Sequence, residues 1–153
     1  MELYLVQHGE AKSKAEDPQR PLTERGREEV QQVAEFAAKA GLKVNQIRHS
    51  GKRRAEETAS ILAEHLSPAK GVLAVAGLAP MDDVRPIAQA LGKETAPLML
   101  VGHLPFMDRL AGLLVTGNSD RSVVRFRMGG IVCLEGAGDD WAVKWVIRPE
   151  LVI

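Results

Sequence analysis

The chain has 153 residues, which at about 100–200 residues per domain is one domain with enough length to bury a core. Twenty Lys and Arg balance twenty Asp and Glu, so no broad positive field is available for counterion release, and nucleic-acid binding is excluded as the main purpose. A composition 45% hydrophobic and 26% charged excludes disorder, and the single cysteine, Cys133, excludes an internal disulfide or a multi-cysteine metal site and suits a reducing compartment.

Leu3, Tyr4, Leu5 and Val6 form an apolar run that stops at Gln7, His8 and Gly9. It reads as a buried strand feeding a loop and is too short for a signal peptide. After a polar stretch through Pro18 and Pro21, Thr23 is a helix N-cap followed by Glu24. Val30, Val33, Ala34 and Ala37 then keep helical spacing, and Gly41 stands where a C-cap belongs. Val44 and Ile47 mark a second strand ending near His49 and Ser50. Ala55, Thr58, Ala59, Leu62 and Leu66 repeat the helical period until Ser67 and Pro68.

A short strand is expected over 72–75, inside the most apolar stretch, 71–81. That stretch is well short of the ~18 residues of a membrane span. Val84, Ile87, Ala88 and Leu91 make a third helical stripe closed by Gly92. A buried strand over 98–101 ends at Gly102 and His103, and a helix is expected over 104–115 with Pro105 in its first turn. Strands are expected over 123–127, 130–135 and 141–147, with Gly136, Gly138, Asp139 and Asp140 turning the chain between the last two. Alternating strands and helices followed by antiparallel strands imply a three-layer α/β/α sandwich around a mixed, mostly parallel sheet. The expectation is a cytoplasmic protein, with no membrane and no nucleic acid among its partners.

In such sheets ligands sit beyond the carboxyl ends of the strands. His8 and His103 share one setting, a residue past an apolar run and next to a glycine that lets backbone approach a ligand. If the two runs are parallel neighbours, both imidazoles emerge at one sheet edge. Arg54 opens the helix after the second strand, and Arg20 lies in the loop after the first. Guanidinium groups hold phosphoryl oxygens bidentately, and an imidazole can attack phosphorus. His49 borders this rim and His65 sits at a helix end, and neither is expected to contribute.

These segments resemble the histidine phosphatase superfamily, also called phosphoglycerate mutase-like. Its R-H-G is matched by Gln7-His8-Gly9, its S-P-x-x-R-A-x-Q-T by Ser50 to Thr58, and its late G-H by Gly102-His103. Arg20-Pro21-Leu22-Thr23 and the closing stretch 145–149 are similar to the SixA-type phosphohistidine phosphatases within it. The resemblance implies one histidine phosphatase domain over 1–153, with His8 as nucleophile and Gln7, Arg20, Arg54 and His103 on the phosphate. It implies no cofactor and no metal. It also implies a phosphohistidine-bearing protein, such as a histidine-phosphotransfer domain, as partner, and inorganic phosphate as product.

The chain departs from the pattern at three places. Gln7 stands where the family has Arg, so an amide replaces a charged ligand; Arg48 and Arg53 are candidates to compensate. Gly51 replaces a proline, which loosens the turn before Arg54. The segment where related phosphomonoesterases carry an acid offers no carboxylate before Asp82 and Asp83. An imidazole leaving group needs an acid less than an alkoxide does, which favours an N–P bond. The alternatives are a small-molecule phosphomonoesterase with Asp82 or Asp83 as general acid, and a phosphate-recognition module of low activity because of Gln7.

Overall fold

A computed structural model describes residues 1–152. Strands β1 (Glu2–Gln7), β2 (Gln46–His49), β3 (Val72–Ala74), β4 (Leu98–Gly102), β5 (Ile131–Ala137) and β6 (Asp140–Ile147) form one sheet. Its order is β3-β2-β4-β1-β5-β6. The pairings from β3 through β1 are parallel, and β5 and β6 are added antiparallel. Helices α1 (Glu24–Lys39), α2 (Arg53–Leu66), α3 (Arg85–Leu91), α4 (Phe106–Thr116) and the short α5 (Pro149–Val152) complete the chain.

The central strands are apolar throughout because both of their faces are covered. Side chains alternate between the faces. Tyr4, Val6, Met99, Val101, Ile131 and Cys133 pack with the buried stripes of α1 and α2. Leu3, Leu5, Leu98, Leu100, Val132 and Leu134 pack with α4 and with Leu91 of α3. Each large aliphatic side chain so buried contributes about 1.5–3 kcal/mol of transfer free energy. The result is the expected three-layer α/β/α sandwich on a mixed, mostly parallel sheet.

Local signals act as read. Thr23 Oγ1 accepts the Gly26 N–H at 3.0 Å. Gly41, at φ +80°, follows the C-cap of α1, and the next N–H, that of Leu42, returns to the Ala37 carbonyl at 3.0 Å. Ser67 ends α2 in the left-handed conformation.

Two element readings are corrected. Residues 123–127 form no strand and join neither outer edge of the sheet, β3 or β6. Val123, Val124 and Phe126 instead lie half-buried against the α4 side of the core. Helix α4 starts at Phe106, two residues later than expected, and Pro105 is its N-cap residue. That leaves His103 and Leu104 in the link between β4 and α4, with the His103 carbonyl accepting the Met107 N–H at 2.9 Å.

Candidate active site

Strands β1 and β4 run parallel with Gln7 opposite Gly102, and the His8 N–H donates to the Gly102 carbonyl at 3.0 Å. His8 and His103 therefore leave the sheet side by side at its carboxyl edge. Their ring centroids are 5.1 Å apart and the planes are inclined by 54°. Both side chains are buried, with 9% and 2% of their surface exposed.

The ring of His8 is oriented by its own loop. Nδ1 lies 2.7 Å from the Gly9 carbonyl, an acceptor only, so Nδ1 carries the proton and Nε2 keeps its lone pair. Burial lowers the His8 pKa to about 4; the Gly9 carbonyl opposes this, and the charges of Arg54 and Arg20 reinforce it. His103 is lowered to about 3, by burial first and then by His8, Arg54, Lys52 and Arg20. At neutral pH both rings are uncharged, and His8 presents a free nitrogen.

The loop that carries His8 is seated between two helices. A Cβ on Gly9 would meet Val30 Cγ2 at 2.8 Å, and one on Gly26 would meet the Glu10 carbonyl at 2.2 Å. Thr23 of the α1 cap donates to Glu10 Oε1 at 2.7 Å. From the other side, the Gly9 N–H donates to Thr58 Oγ1 at 3.0 Å, and that hydroxyl donates to the Arg54 carbonyl at 2.8 Å. The glycines beside the two histidines thus serve packing. A Cβ on Gly102 would strike Met107 Cε at 2.7 Å, so neither glycine is held open for a ligand as expected from the sequence.

Arg54 is the second residue of α2. Its Nε and the Nδ1 of His103 are the buried side-chain polar atoms with no hydrogen-bond partner among the described residues. An unmet buried donor costs about 1–3 kcal/mol, and the charge of Arg54 is near enough to lower the pKa of both His8 and His103. Arg20 is close enough for its charge to lower the pKa of His8, Arg54 and His103. Its Nε is committed to the Lys12 carbonyl at 2.9 Å, and its backbone has φ +50°, unusual for a side-chain-bearing residue. Gln7 is half-buried at the end of β1, its carbonyl accepting from the Gly129 N–H at 2.9 Å.

Other sequence-predicted residues fall elsewhere. Asp83 is gripped by Arg85, with Nη2 to Oδ2 at 2.7 Å; these hydrogen bonds hold its carboxyl down at about 2, so it is ionised at neutral pH and has no proton to give. Asp82 accepts the Ala79 N–H at 2.9 Å and closes its own turn. The compensation considered for Gln7 does not arise from either arginine: Arg48 pairs with Glu94 at 2.9 Å, and Arg53 with Glu57 at 3.5 Å and Gln19 at 2.9 Å. His65 caps α2 through its Nδ1 near the Ile61 carbonyl. His49 accepts the Gly51 N–H at 3.0 Å and, with Arg27, Glu56 and Glu57, lines a separate cleft of about 510 Å³ over α1 and α2.

Three contributors were not singled out from the sequence. Ser50 Oγ is 2.7 Å from His103 Nε2. Thr58 splices the His8 loop to α2, and Glu57 Oε1 accepts the Leu22 N–H at 2.7 Å, bracing the loop that carries Arg20. The signal for Thr58 was its spacing: four residues after Arg54, on the same helix face and inside an apolar stripe.

If the neutral His8 ring is the attacking group, activity has an acid limb. With His8 held near 4, kcat/KM is expected to be flat from neutral pH down to about 5 and to fall below that, as protonation removes the Nε2 lone pair. A pH–rate profile checks this; an acid limb at the ordinary histidine value of about 6.5 contradicts it.

Comparison with known proteins adds to this geometry. A model of the histidine phosphatase superfamily (branch 1) matches residues 3–82. An uncharacterised protein from Picosynechococcus sp. is 35% identical over 142 residues, covering 88% of this chain and 84% of that protein. Among solved structures, the protein histidine phosphatase SixA complexed with tungstate has a TM-score of 0.89 at 24% identity, over 100% of both chains. The alpha-ribazole phosphatase from Shigella flexneri has a TM-score of 0.73 at 13% identity, over 97% of both chains. At these identities the structural matches speak for the fold, while the family match spans more than half of the sequence and includes His8 and Arg54: the chain belongs to the histidine phosphatase superfamily.

Proposed function

We propose that the chain is a metal-independent phosphatase acting on phosphohistidine, on a histidine-phosphotransfer domain or a similar protein, through a phosphoryl group carried on His8. The observation that carries this reading is the pairing of a free His8 Nε2 with two unmet polar atoms, Arg54 Nε and His103 Nδ1. Nε2 attacks phosphorus, the N–P bond of the substrate breaks, and the departing imidazole takes a proton from solvent. Water then attacks the phosphohistidine, the bond to Nε2 breaks, and inorganic phosphate leaves. Arg54 and Arg20 hold the equatorial oxygens, and His103 donates to the charge that builds on them.

The leaving group decides between substrates. An alkoxide needs a proton, and a positioned general acid is worth about 10²–10⁴-fold. With Asp83 ionised by Arg85 and Asp82 occupied by Ala79, neither carboxyl is suited to that work. A phosphohistidine peptide is expected to exceed alkyl phosphate esters in kcat/KM by at least about 10²-fold. Comparable values, with ester turnover lost in Asp82→Asn, would instead establish a small-molecule phosphomonoesterase.

Gln7 favours a second reading, a phosphate-recognition module with little turnover. A charge-assisted hydrogen bond is worth about 1.5–3 kcal/mol against about 1 for a neutral one. Gln7→Arg is therefore expected to raise kcat about tenfold. A gain of several orders of magnitude over negligible wild-type turnover, at unchanged phosphate affinity, would mark the natural chain as a binder.

A further inference from the structure

His103 reaches its neighbours through two nitrogens with different fates. Nε2 lies 2.7 Å from Ser50 Oγ, while Nδ1 is buried with no partner among the described residues. A neutral imidazole carries one proton, and the hydrogen bond at one nitrogen selects what the other presents. Ser50 Oγ also accepts the Lys52 N–H at 3.3 Å, which leaves the hydroxyl proton free to point at the ring. The turn that makes this arrangement belongs to Gly51. At φ +88° it lies outside the range open to proline, and its N–H, which proline lacks, is used by His49 at 3.0 Å.

We propose that Ser50 is a positioning residue that sets the tautomer of His103: its hydroxyl proton goes to Nε2, so the ring proton stays on Nδ1, facing an anion bound against His8 and Arg54. In the opposite tautomer Nδ1 would turn a lone pair toward the anion's oxygens and repel them. This rests on the reading of the site as a phosphate pocket and adds to it the residue that keeps a neutral histidine in its donor form. Lys52 and Gly51 enter through the same turn, so the start of α2 and His103, in the link after β4, are tied by one hydroxyl.

Nitrogen NMR of the histidine-labelled full chain at neutral pH, paired with tungstate titration, tests the proposal. The wild type is expected to show a protonated His103 Nδ1 and a bare Nε2. In Ser50→Ala the proton is expected to spread over both nitrogens and tungstate affinity to fall about tenfold, the scale of one neutral hydrogen bond. Ser50→Thr, which keeps the hydroxyl, is expected to restore both. A wild-type proton on Nε2 overturns the proposal even if Ser50→Ala fails to fold, and so do unchanged nitrogen shifts or unchanged tungstate affinity in a folded Ser50→Ala. Neither readout requires turnover. Tungstate binding with these shifts but no phosphatase activity would refute the proposed function and leave the role of Ser50 standing.

Discussion

On the proposed mechanism, His8→Ala is expected to abolish the phosphoenzyme and to lower turnover by at least about 10⁴-fold, because the nitrogen proposed to attack phosphorus is lost. Nothing nearby can take its place. His103 is 5.1 Å away, centroid to centroid, with Nε2 engaged by Ser50, and His49 lines a different cleft. Wild-type enzyme quenched during turnover and denatured should carry acid-labile, alkali-stable phosphate, and the variant none. Label persisting in His8→Ala would remove His8 from the nucleophile's role. The loop is held by backbone hydrogen bonds of His8 and Gly9 that the substitution leaves in place, so circular dichroism of the variant should match the wild type.

Arg54→Ala is expected to lower kcat by about 10²–10³-fold, the cost of removing one preorganised donor from a developing oxyanion. The effect is large because the guanidinium is positioned before substrate arrives. Its Nε is already buried and unmet, so little reorganisation is left to occur during reaction. Arg54→Lys keeps the charge without the planar fork and should recover only part of the loss. Tungstate affinity measured alongside kcat separates ground-state binding from transition-state stabilisation. An Arg54→Ala enzyme within about threefold of the wild type would remove Arg54 from that role.

The sheet was readable because its central strands are continuous apolar runs bounded by glycine and histidine, and Leu3 to Val6 and Leu98 to Val101 occur where expected. Segment 123–127 misled because β-branched and aromatic residues suit a half-buried loop on the α4 side of the core as well as a strand, and no local pattern tells the two apart. His8 and His103 were singled out from their places past apolar runs, and the parallel pairing of β1 and β4 sets those two rings side by side. Ser50 and Thr58 were harder to see. The matched motif marks both positions, but their hydroxyls act across 53 and 49 residues of chain, and no local pattern names those partners. The glycines were misjudged for a related reason: Gly9 and Gly102 are filled from behind by Val30 and Met107, partners that lie on helices remote in sequence.

The shared hydroxyl of Thr58 has an evolutionary reading. One oxygen receives the amide that follows His8 and gives its proton to the Arg54 carbonyl, so the link between these two residues does not run through the surface segment between β1 and α1. That segment can lengthen, shorten or change charge and thereby alter which molecules gain entry. The reacting centre would stay in register through such drift, and new substrates could be acquired on a frame whose chemistry stays the same.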